Sequence, residues 1–155
     1  MKAASKSKPV ILCLGNADRG DDAQGPCCAD LLSRRSIPVR IMDGKAFELL
    51  DVFRAHPHVI IVDAIVSGAE PPGHIHRFDG PPGAVAQFAP SCSTHGLGLG
   101  EALRLGAVLK ALPDRLTLFG IESESFEWGS TPSPTVAASM EALAGAVAEE
   151  WEKAG

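Results

Sequence analysis

The chain has 155 residues, room for one domain, and its 45% hydrophobic and 21% charged residues exclude intrinsic disorder. Fourteen Lys+Arg against nineteen Asp+Glu give a net charge of -5, which argues against nucleic acid or a membrane surface as partner. Both would need a basic field. The four cysteines, at 13, 27, 28 and 92, form no C-x-x-C and lie in apolar surroundings, so reduced thiols in a cytoplasmic protein are expected. Met1 to Pro9 carries three lysines but leads into an apolar run too short for a signal peptide or a membrane span. A single domain over 1–155 is expected, with 1–8 flexible.

In chain order, Val10 to Leu14 is a continuous apolar run closed by Gly15-Asn16, the mark of a strand buried on both faces. A polar Gly/Asp loop follows, and a helix should open near Gly25-Pro26, because proline suits the first helical turn. Val39 to Met42 reads as a short second strand ending at Asp43-Gly44. Ala46, Leu49, Leu50 and Phe53 fall at helical spacing. Val59 to Val62 is the clearest strand, with Asp63 behind it. The stretch from Ser67 to Thr94 is rich in Gly and Pro and holds at most one short strand, His74 to Phe78. Leu105, Val108, Leu109 and Leu112 mark a third helix that begins soon after His95. Leu116 to Ile121 reads as another buried strand. Ser133-Pro134 is an N-cap with proline behind it, launching a last helix whose stripe is Val136, Met140, Leu143, Val147 and Trp151. Strands alternating with helices predict parallel crossovers and a three-layer α/β sandwich.

In such sheets ligands bind beyond the carboxyl ends of the strands, which selects the 15–25 loop, Asp43 and Asp63. The loop carries neither G-x-G-x-x-G nor G-x-x-x-x-G-K-[ST], and its aspartates would repel a phosphate. Acidity at a strand end suits a cation instead. Asp21, Asp22 and Asp63 are oxygen ligands, and His95 precedes the third helix; two carboxylates and one imidazole make an incomplete site open to a partner's ligands. Singly, each has an ordinary structural explanation: a helix cap for Asp21 or Asp22, a turn cap for Asp63, a solvated histidine at 95. Their joint placement at one sheet edge favours metal.

Gly15-Asn16 with Gly20-Asp21-Asp22, Val62-Asp63-Ala64, and Ser93-Thr94-His95-Gly96-Leu97 together resemble the signature of the hydrogenase maturation endopeptidases. The resemblance continues through Leu116 to Glu122, Glu124-Ser125-Phe126-Glu127 and Thr131 to Val136, in the same order along the chain. It implies a five-stranded, mostly parallel twisted sheet with one antiparallel strand, for which His74–Phe78 is the candidate. It also implies an endopeptidase that removes a C-terminal extension from the large-subunit precursor of [NiFe] hydrogenase after nickel insertion. Asp22, Asp63 and His95 are the implied metal ligands and catalytic residues. The implied nickel arrives with the substrate, so no tightly bound cofactor is expected, and the protein is expected to be a monomer. Two positions depart from the family's wording: Ala23 stands where a glycine is common, and Lys45 where a second glycine often follows Asp43-Gly44. Lys45 would put a cation beside the cleft. The Arg19 to Ala23 stretch, with Gly25-Pro26 behind it, is similar to members serving soluble, NAD-linked hydrogenases.

Other candidates carry less. His74-x-His76 has metal-like spacing on a strand but reads as the polar face of an edge strand. His56 and His58 flank Pro57 and are expected in solvent. Cys92 has no identifiable activating partner as a nucleophile. No G-x-S-x-G elbow supports a serine hydrolase. Glu122, Glu124 and Glu127 read as a solvated rim or a docking surface. Two further functions fit the same site: a metal-dependent hydrolase of a small substrate, and a non-catalytic nickel-sensing chaperone.

Overall fold

The structure, a computed structural model, describes residues 7–83 and 98–154. It is a three-layer α/β sandwich on one five-stranded sheet. In chain order come β1 (Val10–Leu14), a 3-10 turn (Gly20–Ala23), α1 (Gln24–Arg34), β2 (Arg40–Met42), α2 (Ala46–Ala55) and β3 (His58–Ile65). Then follow β4 (Ile75–Gly80), α3 (Leu99–Leu109), β5 (Arg115–Glu122), α4 (Pro134–Ala138) and α5 (Met140–Lys153). The strand order is β2-β1-β3-β5-β4. Every neighbouring pair is parallel except β4 with β5. The antiparallel strand is the expected one, shifted to start at Ile75 and end at Gly80.

The central strands are apolar on both faces because both faces are covered. On one side Leu12, Leu14, Val59, Ile61, Ile65, Leu116 and Leu118 pack under α2 and α3, against Leu49, Leu50, Phe53, Leu99 and Leu103. On the other, Ile11, Cys13, Ile60, Val62, Phe119 and Ile121 pack under α1, α4 and α5, against Leu32, Val136, Leu143 and Val147. Each fully buried Leu, Ile or Phe contributes roughly 1.5–3 kcal/mol. Cys13, Cys27 and Cys28 are free, the first and last inside this second core. Burial and the Cys28 sulfur beside it hold the Cys13 thiol protonated, the neighbouring Cys28 contributing most. Cys92 lies outside the described residues.

Three expectations about the helices and strand ends need correction. Val108 and Leu109 are 80% and 52% exposed, not core. The helix starts at Leu99, so its buried face is Leu99, Ala102, Leu103 and Gly106. The last helix is two: the chain turns at Ser139, whose N–H donates to the Val136 carbonyl and whose hydroxyl donates to the Thr135 carbonyl, and α5 begins at Met140. His58 is half-buried as the first residue of β3, within hydrogen-bond distance of the Thr117 hydroxyl at 3.1 Å, rather than solvated. At the N-terminus Lys8 donates to the Trp151 and Glu152 carbonyls and sits 4.6 Å from the Trp151 ring centre. Residues 1–6 lie outside the described part. None of the described helices is long and apolar enough to cross a membrane.

Candidate functional site

β1 ends against the polar loop, and two close approaches fix how that loop leaves the sheet. Gly15 has a φ of 137°, and a Cβ there would collide with the Asp22 carbonyl oxygen. Gly25 lies so close to Leu14 that a Cβ would strike its carbonyl oxygen. The buried Gln24 amide clamps the same carbonyl, donating at 2.8 Å. The 3-10 turn is thereby pressed onto the carboxyl edge of the sheet, with Asp21 and Asp22 both turned inward.

The two neighbours then diverge. Asp21 is fully buried and accepts four hydrogen bonds: from the backbone N–H of Glu124 at 2.8 Å, Ser125 at 3.1 Å and Ser133 at 2.6 Å, and from the Ser133 hydroxyl at 2.7 Å. Burial raises its pKa, but these donors outweigh it and the net displacement is downward. Asp21 is the tie between the first loop and the 123–133 segment. Ser133 therefore does not cap α4 with its side chain, as the sequence suggested; its hydroxyl belongs to Asp21. Asp22 accepts from the Asn16 N–H at 2.9 Å and lies 3.9 Å from the Arg19 guanidinium.

Asp63 was expected just beyond β3, but β3 runs on to Ile65 and pairs Asp63 with Gly120 of β5. The residue is 3% exposed, between Ile61 and Ile65 on the face covered by α2 and α3. Its Oδ1 accepts the Ala64 N–H at 2.9 Å, while its Oδ2 is buried with no hydrogen-bond partner. Burial is the main reason its pKa is pushed up to about 8; the Ala64 bond works against this, and the Asp22 charge adds to it. A buried carboxylate oxygen without a donor, within reach of the Asp22 charge, gains by taking up a proton or a cation. Asp22 and Asp63 thus share the carboxyl edge. His95 lies outside the described residues, three positions before the Gly98 cap of α3. Among the described residues no group of three or more His, Cys, Asp or Glu side chains could hold a metal.

The remaining candidates separate. Glu122 is not a solvated rim residue: it is 2% exposed at the end of β5, accepts from the Ser67 hydroxyl and backbone, and meets His76 Nε2 at 3.0 Å. His76 therefore faces a buried carboxylate rather than water, and the His74 ring stands edge-on to it at 4.7 Å. Glu124 and Glu127 are exposed as expected. Asp43 and Lys45 are exposed before α2, Lys45 at its cap position. The sequence reading also missed Arg19, whose guanidinium is drawn in between Asp22 and the Phe126 and Trp128 rings. A cleft of about 350 Å³ lined by Phe53, Lys110 and Leu112 lies at the opposite, amino edge of the sheet, away from both carboxylates.

The architecture recurs in solved endopeptidases. The hydrogenase maturating endopeptidase HybD from Escherichia coli superposes with a TM-score of 0.77 at 30% identity, over 96% of this chain and 94% of that one. An endopeptidase from Escherichia coli solved in solution gives a TM-score of 0.75 at 29% identity, over 94% of each chain. The fold and its likeness to these endopeptidases define a hydrolase of the peptidase class. The hydrogenase 2 maturation protease of Escherichia coli K12 is 36% identical over 139 residues, covering 85% of this chain and 83% of that protein. The family model described as HycI, hydrogenase maturation protease, matches residues 27–150, most of the sequence. The chain belongs to the hydrogenase maturation protease family.

Proposed function

We propose that the chain acts, as a single-domain monomer in the cytoplasm, as the endopeptidase that removes the C-terminal extension of a [NiFe] hydrogenase large-subunit precursor once nickel is in place. Asp22, Asp63 and His95 dock that substrate through its nickel. The observation that carries this reading is the Asp63 Oδ2 atom, buried, without a hydrogen bond, and beside a second carboxylate. Once ionised, that Asp63 carboxylate is costly in the free protein, and a cation relieves it. Two carboxylates and one imidazole offer nickel fewer donors than it prefers, so the metal comes with the precursor's own ligands and no resident cofactor is required. Docking then presents the scissile peptide bond to the same edge, where a polarised carbonyl and an activated water complete the hydrolysis.

The test is processing of a nickel-loaded precursor, followed by gel mobility. The unaltered protein shortens it and leaves the nickel-free precursor intact. Asp22→Asn and His95→Ala each fold, by circular dichroism, yet lose at least about a hundredfold in rate, the worth of a charged or imidazole ligand in a site of three. Cys92→Ala processes normally. Cleavage of nickel-free precursor, or full activity in both ligand variants, would overturn the reading. Turnover of small substrates without any protein partner would favour the small-substrate hydrolase instead.

A further inference from the structure

Arg19 sits in the loop between β1 and the 3-10 turn with its backbone held on all sides. Its N–H donates to the Asn16 carbonyl at 3.3 Å, its carbonyl accepts from Asp22 at 3.0 Å, and the residue bridges to Trp128 and Ser130. The side chain is only 11% exposed. Its guanidinium carbon lies 5.7 Å from the Phe126 ring centre and 5.3 Å from that of Trp128, itself 69% exposed. The Nη1 atom is 3.9 Å from Asp22 Oδ2, an ion-pair distance too long for a hydrogen bond. The Nε and Nη1 donors are buried and make no hydrogen bond.

A guanidinium keeps its charge at every physiological pH and carries N–H donors in fixed directions. The two rings and the Asp22 charge compensate the cation, but aromatic faces do not replace oxygen acceptors for its N–H groups. Leaving such donors buried and unpaired carries a penalty, and a small turn of the guanidinium toward the exposed Trp128 lets an incoming acceptor remove it. The charge being already matched by Asp22, a second anion is not needed to balance it, and a neutral carbonyl oxygen is the acceptor that fits. The proteinaceous substrate supplies such carbonyls along its main chain.

We propose that Arg19 reads the substrate at this site, donating to a main-chain carbonyl of the precursor as it settles against Asp22 and the exposed Trp128. The inference rests on the endopeptidase reading and adds a specificity residue outside the metal-binding set. Arg19 acts on binding, so its loss changes KM rather than the chemical step.

Steady-state kinetics on the nickel-loaded precursor test this. Arg19→Gln raises KM at least about tenfold, the worth of a hydrogen bond from a charged donor, while kcat stays within about threefold. Arg19→Lys keeps the charge but not the N–H directions, and its KM rises with that of Arg19→Gln. A KM in Arg19→Lys equal to that of the unaltered protein would overturn the carbonyl assignment, as would a fall in kcat at unchanged KM, which would move Arg19 from binding to the chemical step. If the unaltered protein does not shorten the precursor, the endopeptidase reading falls and Arg19 with it. If it does, and both variants match it, only the Arg19 assignment falls.

Discussion

Asp21 in the first loop and Asp63 in β3 are both carboxylates sealed from water at the same edge of the sheet, and they are treated in opposite ways. Asp21 receives four hydrogen bonds and its pKa is drawn down. Asp63 receives one, keeps an unpaired oxygen, faces the charge of Asp22 and is pushed up to about 8. Burial alone therefore does not say what a buried acid is for; the count of donors around it does. Where donors saturate the carboxylate, it holds the fold. Where they do not, the molecule retains an unfavourable group that something from outside must satisfy, which is the usual relation between a strained site and its ligand.

The comparison breaks first at Asp21. Asp21→Ala leaves three part-buried N–H groups without their acceptor, and at ~1–3 kcal/mol each, at the low end for partly solvated groups, the loss is roughly 4 kcal/mol, read as a lower midpoint in urea unfolding. The 123–133 segment should loosen with it, seen as faster amide exchange at Glu124, Ser125 and Ser133. A variant as stable as the parent would remove the distinction.

Asp63→Asn sharpens the comparison by moving stability the other way. Asp63 is protonated in the native state below pH about 8 and ionises near 3.9 when unfolded. Unfolding therefore releases a proton between those values, and the free protein loses stability as pH rises from about 4 to 8. Asn carries no such proton. Asp63→Asn is thus more stable than the parent at pH 8 by an amount on the order of a few kcal/mol, and this advantage shrinks toward pH 4. Asp21 has the opposite sign: its contribution is complete above its unfolded value and fades as pH falls through its lowered native one. Thermal unfolding at a series of pH values separates the two slopes.

The smallest effect is at Ser133. Its hydroxyl gives Asp21 one of four bonds while its N–H gives another. Ser133→Ala removes only the first, so a loss of about 1–2 kcal/mol is expected, well short of Asp21→Ala. A loss equal to that of Asp21→Ala would mean the hydroxyl, and not the three N–H groups, holds the loop.

How far the sequence foretells this contrast depends on the range of the contacts. β1 and α2 follow from runs and spacings within a dozen residues, and the structure returns them nearly unchanged. The choice between Asp21 and Asp22 does not follow from spacing, because adjacent residues differ only in which way the 3-10 turn aims them. Their partners settle it, and those of Asp21 lie more than a hundred positions away. Ser133-Pro134 reads as a helix start and is one, yet the hydroxyl serves a distant carboxylate instead of the local N–H groups. Glu122 looks like rim because it stands at a strand end, while Ser67, just beyond β3, and His76, on β4, cover it. Arg19 carries no periodicity at all; only the fold sets it against two rings from the 126–128 turn.

The central claim, that one buried carboxylate is satisfied and the other is not, is read directly by carboxyl-carbon NMR. The protein would be labelled at aspartate and titrated from pH 3 to 9, with Asp21→Asn and Asp63→Asn assigning the signals. One resonance should move with a midpoint near 8 and vanish in Asp63→Asn, while the Asp21 signal titrates below the ordinary carboxylate range. An Asp63 midpoint in the ordinary carboxylate range, near 4, would contradict the account.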